Sequence, residues 1–177
     1  MRPLPHTIIA ASLLFAAGDA RAALGQSTRE VVASVTVAAA PERVVRAFSH
    51  PEDLAGWWKV TRSASPSQVG DGWAVAWDDY GEEKTAHIWT GVVRAMEPRR
   101  LLVEDMVLVE PNRPLFTGLA LEVTAVESAD GSGSVVTVRH KGYRLDGADW
   151  EWAYEIVDAG WKHVLGDLQV WFEAQSR

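Results

Sequence analysis

Between Lys59 and Arg144 apolar side chains alternate with polar ones, but from Asp149 to Gln175 they recur at helical spacing. In that last stretch Tyr154, Val157, Trp161, Val164, Leu168 and Trp171 form one broad apolar stripe, with Ala153, Ile156, Leu165 and Phe172 alongside. Glu151, Glu155, Asp158, Lys162 and Glu173 fall largely outside it, and Asp158 with Lys162 makes a favourable i,i+4 pair. About 25 residues of helix span roughly 38 Å, and Asp146 or Asp149 stands where a side chain caps the start. A long one-sided helix that follows a run of strands must bury its stripe against their sheet.

The strands themselves are legible. REVVASVTVA (Arg29–Ala38) is β-branched, with Val31, Ala33, Val35 and Val37 on one face. Pro41 then opens a short helix carrying Val44, Val45 and Phe48, and Pro51 opens a second that runs through Trp57. Beyond Lys59, Trp73, Val75 and Trp77 share one strand face. His87, Trp89, Gly91, Val93 and Ala95 share another. Leu101, Val103, Asp105, Val107 and Val109 alternate on the next strand, and SADGSG separates the last two strands as a hairpin loop. Short turns between consecutive strands imply an antiparallel meander of about seven strands. Such a sheet curls, the long helix covers its concave face, the two short helices plug one end, and a cavity between them is geometrically natural.

The N-terminus reads differently. Arg2, the apolar run TIIAASLLFAA (Thr7–Ala17), too short to span a bilayer, and the small-x-small site Ala20-Arg21-Ala22 together predict a signal peptide over residues 1–22, cleaved after Ala22. A linker over 23–28 and one domain over 29–175 follow, and the expected location is periplasmic or secreted. The formal net charge is -7, and loss of Arg2, Arg21 and Asp19 makes it one unit more negative. That balance argues against nucleic acid and against anionic membrane surfaces as partners, and no membrane insertion of the mature chain is expected. With no cysteine there is no disulfide, thiolate nucleophile or lipidated cysteine.

VTVAAAPERVVRAFSHPEDLAGWW resembles the opening of the START/SRPBCC superfamily, with its Ala-Pro-Glu-x-Val helix and closing Trp-Trp. It is most similar to the branch named after the activator of the heat-shock-protein-90 ATPase. VVTVRHKGY resembles that branch's penultimate element and GWKHVLGDLQVWFE its final helix, so the resemblance runs over about Arg29–Ala174. It implies an α+β helix-grip (START/Bet v 1-like) fold with an internal hydrophobic pocket.

No Gly-x-Ser-x-Gly, phosphate loop, dinucleotide fingerprint or His-Glu-x-x-His occurs, and GSGS (Gly131–Ser134) is a turn. The nine tryptophans are the strongest chemical signal, because each buried indole wants an acceptor for its N–H and flat aromatic walls suit apolar ligands. A filled tryptophan-rich core is the plainer reading. Trp73, Trp77, Trp89 and Trp161 are expected to line the cavity, with His87, Asp105 and His140 as polar handles or general bases if their faces are the concave ones. Hydrogen-bonded interior histidines are the plainer reading of His87 and His140. Of the adjacent pair, Trp58 is expected to anchor its helix and Trp57 to rim the entrance. Asp78-Asp79 and Glu82-Glu83 read as solvated turn charges, His163 and Asp167 as a solvated flank, and Glu104 and Asp105 as pointing to opposite faces. No catalytic residue, cofactor or metal is assigned. The expected function is binding of a small hydrophobic or aromatic/lipid-like ligand. Two alternatives stay open: a cyclase-, aromatase- or hydratase-like enzyme using His87, Asp105 or His140, and a co-chaperone-like ATPase activator.

Overall fold

The computed structural model of the protein describes residues 28–80 and 85–176. The expected leader and Glu82-Glu83 lie outside the described residues, as does the expected linker except Thr28, which opens the first strand. The order is β1 (Thr28–Val37), α1 (Pro41–Ala47), α2 (Pro51–Trp57), β2 (Arg62–Ala64), β3 (Gly72–Tyr80), β4 (Thr85–Glu97), β5 (Arg100–Val109), β6 (Phe116–Glu127), β7 (Ser134–Arg144) and α3 (Ala148–Gln175). Both short helices start at a proline, whose fixed φ suits the first helical position.

All seven strands form one curved antiparallel sheet in the order β1-β7-β6-β5-β4-β3-β2, so β1 closes beside the last strand of the meander. The 28 residues of α3 pack along β1 and β7 and meet α2, while α1 lies against β6 and β7. Ala153, Val157, Trp161, Leu165, Leu168 and Phe172 are the buried side of α3. Ile156, assigned to the stripe by its spacing, is half exposed. Gly147 is the N-cap and no side chain caps the helix; Asp149 instead accepts a hydrogen bond from Arg113 at 2.8 Å. Asp158 and Lys162 pair at 2.5 Å as their spacing predicts. Arg43 on α1 grips both oxygens of Asp53 on α2 at 2.7 and 2.9 Å, a two-pronged tie between the short helices.

Two irregularities decide which side chains face inward. In β5 the pairing slips on both sides of Met106, and Asp105 takes a left-handed φ of 52°. Leu101 and Val103 are buried before it, Met106 and Leu108 after it, so the inward parity changes at Asp105. Gly91 on β4 stands opposite, where a Cβ would come within 2.6 Å of Val103 and 2.7 Å of Met106. In β7, Gly142 adopts a φ of 98°, which turns Tyr143 onto the same inward side as His140. A Cβ at Gly142 would lie 2.6 Å from the Gly118 carbonyl oxygen.

Trp57 belongs to the core, not to a rim. It is 1% exposed, donates its indole N–H to the Ala47 carbonyl at 3.0 Å and packs on Phe48 with ring centroids 4.9 Å apart. That hydrogen bond turns the ring toward α1, the reverse of the expected assignment. Trp57→Ala is expected to cost about 3–5 kcal/mol in urea unfolding through the cavity it leaves; a loss under about 1 kcal/mol contradicts this placement.

His140 is a fully buried ionisable group of the core. The Tyr143 hydroxyl lies 3.0 Å from Nδ1 and the Trp161 indole N–H 3.4 Å from it. Since the indole only donates, Nδ1 accepts and the proton sits on Nε2, which is buried without a partner. Burial lowers the imidazole pKa from 6.5 to about 3. Burial, and next the charge of Glu110, push the Tyr143 phenol well above its usual value. An unfolded chain takes up a proton at His140 as pH falls below about 6.5, which the folded chain refuses until about 3. The stability of the neutral imidazole is therefore complete above that window and declines as the solution is acidified. His140→Gln should flatten the acid limb: between about pH 7 and pH 4 the stability gap to wild type closes by up to a factor of about ten in the folding constant per pH unit. Parallel pH profiles from urea unfolding refute this.

Candidate functional site

Because α3 lies over β1 and β7, the β3–β4 side of the concave face is left to other cover. The turn after α2 supplies part of it. Trp58 is the C-cap of α2, Lys59 beyond it takes a left-handed φ of 57°, and the Trp58 amide returns to the Leu54 carbonyl at 3.0 Å. Between this turn, β3, β4 and one flank of α3 is a half-open pocket of about 540 Å³.

Five tryptophans stand on its wall: Trp58, Trp77, Trp89, Trp152 and Trp161. Trp58 is their hub. It stacks on buried Trp57 at 5.1 Å and meets Trp77 edge-on at 5.1 Å, Trp89 edge-on at 5.6 Å and Trp161 at 5.0 Å. Trp77 donates its indole N–H to the Trp58 carbonyl at 3.0 Å, so strand and turn are locked together at the pocket. Gly160 of α3 also lies on the wall, and a Cβ there would meet nothing within 4 Å.

The most deeply buried ionisable group of the pocket is Glu110, the residue after β5, with its side chain 8% exposed. One carboxylate oxygen accepts from Nδ1 of His87, and the other accepts the Trp89 indole N–H at 3.2 Å. His87 and Trp89 sit two apart on β4 and thus on one face, which lets a single carboxylate engage both. Lys59, on the rim, donates to the Gly56 carbonyl at 2.6 Å. His163 and Asp167 stand 3.8 Å apart on the α3 side of the mouth, both substantially exposed.

Of the residues expected to line a cavity, Trp77, His87, Trp89 and Trp161 are on this wall. Four lie elsewhere. Trp57 is turned toward α1, and Trp73 is fully buried, donating to the Phe48 carbonyl at 2.8 Å. His140 is sealed beneath Trp89, with ring centroids 5.3 Å apart. Asp105 is on the outer surface with Arg94, where Glu104 joins it at 3.9 Å, so these two carboxylates share a cation instead of facing opposite ways. The β5 bulge is the cause. Hence His87, Asp105 and His140 do not share a site, and of these three acid–base candidates His87 is the one on the pocket wall. Asp78 is held by Arg62 and Thr61, which keep its carboxyl below the usual range. Among the described residues no group of three His, Asp or Glu side chains is arranged to hold a metal ion.

Sequence reasoning missed Glu110, Trp58 and Trp152 as wall residues. Unbroken alternation from Leu101 puts Glu110 outside, and the bulge that expels Asp105 brings Glu110 in. Trp58 is buried, as an anchor should be, but it also reaches the wall, because its neighbour's hydrogen bond to α1, invisible in spacing, takes Trp57 deeper still.

Comparison with known proteins supplies the kinship. The profile of the family described as "Activator of Hsp90 ATPase homolog 1-like protein" matches residues 38–173. Among solved structures, protein MLL2253 from Mesorhizobium loti is similar with a TM-score of 0.61 and 17% identity, over 82% of this chain and 98% of that one. Protein SA2116 from Staphylococcus aureus, a protein of unknown function, gives 0.65 at 12% identity, over 86% and 98%. DynU16, a putative protein in the dynemicin biosynthetic locus, gives 0.60 at 21% identity, over 81% of this chain and 47% of that one. At such identities the likeness is one of fold alone, the helix-grip arrangement of a curved sheet around a long C-terminal helix. No curated protein matches the sequence. With the profile matched from the end of β1 to the last turn of α3, and the fold shared, the chain belongs to the activator of Hsp90 ATPase homolog 1-like family.

Proposed function

We propose that the protein binds a small, flat, apolar molecule, aromatic or lipid-like, in the tryptophan-walled pocket beside α3. The observation that carries this reading is the set of five indoles around about 540 Å³ of space, where a packed core would have closed. That volume falls within the roughly 300–1,000 Å³ of small-molecule sites, and a mainly apolar, aromatic wall with a few polar groups is their usual make-up. Indoles give a ligand large flat contact at small entropic cost, since each is already held by hydrogen bonds or neighbouring rings.

Gly160 provides the test. A leucine there puts carbon into open space on the wall and replaces the poorest ordinary helix former, so the variant keeps or slightly raises its melting temperature. Titration with the neutral fluorophore phenylnaphthylamine is expected to saturate in the wild type. In Gly160→Leu its affinity should fall by about tenfold or more, the scale of losing good apolar contact. Absence of saturable binding, or equal binding by the variant, overturns the proposal.

A separate reading concerns location. We infer from Arg2, the Thr7–Ala17 run and Ala20-Arg21-Ala22 that the protein is exported and acts outside the cytoplasm. N-terminal sequencing of protein recovered from the periplasmic or secreted fraction should begin at Ala23; an intact N-terminus in the cytosolic fraction refutes it.

A further inference from the structure

Resting on the pocket as a binding site, we propose that Glu110 and the indoles around it select an organic ammonium: a ligand with an apolar, aromatic body and a positively charged nitrogen. Most of an apolar pocket can be indifferent to charge. This one is not, for three reasons of geometry.

First, the Glu110 side chain is more than nine-tenths buried, stands on the pocket wall and is held there by His87 and Trp89 of the same wall. Those partners use one acceptor position on each oxygen, and a carboxylate offers about four in all. A donor in the pocket can therefore join without displacing either. Second, Trp58, Trp77, Trp89 and Trp161 stand close around the same space. Indole faces carry negative quadrupole charge and attract ammonium groups more strongly once water is excluded. Third, beyond His87, whose Nδ1 already faces the carboxylate, the other charged groups described on the wall do not cancel Glu110. Lys59 spends its ammonium on the Gly56 carbonyl at the rim, Asp167 adds a second negative group at the mouth beside His163, and among the described residues no arginine lines the wall. The net charge of -7 raises the local concentration of cations before any contact is made.

The same features work against carboxylic acids. A fatty or aromatic acid would bring a second anion beside Glu110 in a poorly solvated space, where like charges repel strongly. Glu110 is thus the specificity-determining residue: it turns a general apolar pocket into one that ranks ligands by charge.

Three probes with one body separate these effects: methylnaphthalene, naphthylmethylammonium and naphthylacetate, each followed by quenching of tryptophan fluorescence at neutral pH. In the wild type the ammonium should bind about tenfold or more tightly than the hydrocarbon, and the acetate about tenfold or more weakly. Glu110→Gln keeps the shape and an acceptor for the Trp89 N–H; it should bring the three affinities to within about threefold of one another. If all three probes bind the wild type equally, or the acetate binds best, charge selection is wrong and the apolar-ligand reading survives. If none binds, both fall. Should Glu110→Gln fail to fold, the wild-type ranking alone decides, because it compares ligands on an unaltered protein.

Discussion

A seven-stranded sheet is about 29 Å wide across its hydrogen-bonding direction, whereas a helix with its side chains is about 10–12 Å across. One helix cannot cover such a face. Here α3 spends its apolar side on β1 and β7, and the opposite half of the concave surface is left to α1, α2 and the turn that follows them. Those elements are short, seven residues each for the helices; they fill the base through Phe48, Leu54 and Trp57 and meet α3 at Trp161 and Trp171, but leave the space beside Gly160 open. The space beside Gly160 follows from that shortfall of cover.

Aromatic rings are what make a partly covered sheet stable here. Trp57 and Trp73 go deep: Trp57 ties α2 to α1 through the Ala47 carbonyl, and Trp73 ties the end of α1 to β3 through that of Phe48. Trp58 bridges the anchored layer and the pocket, with a buried ring on one side and wall indoles on the other. The adjacent pair in GWW thus does two jobs with one stack: one ring closes the core and the next turns the core's surface into a binding surface. His140, Tyr143 and Trp161 tie α3 to β7 directly beneath, so the floor of the pocket and the seat of the long helix are one hydrogen-bonded cluster.

Much of this was readable beforehand. The change from alternation to helical spacing near Asp149, the prolines at 41 and 51, and the hairpin loop before Ser134 fixed the elements closely, and the three family-like segments named the architecture. The site was readable only in part. Trp77, His87 and Trp89 follow from regular alternation on β3 and β4, where pairing is regular over those residues. Asp105 and Glu110 do not, because one bulge reverses inward and outward for every residue beyond it. Nothing local announces that bulge: its partner, Gly91, is on another strand, and the close approach that requires a glycine there exists only after the strands pair.

Sequence periodicity and turn residues therefore determined the list of elements, their order and the amphipathic face of the last helix, since these are set by contacts a few residues apart. Tertiary structure decided which carboxylate reached the interior, which of two neighbouring indoles went deep, and where the sheet was left uncovered. Each of those outcomes turns on a contact between residues distant in the chain, Gly91 with Met106, Trp57 with Ala47, or α3 with β1, whose geometry is fixed only when the whole sheet has closed.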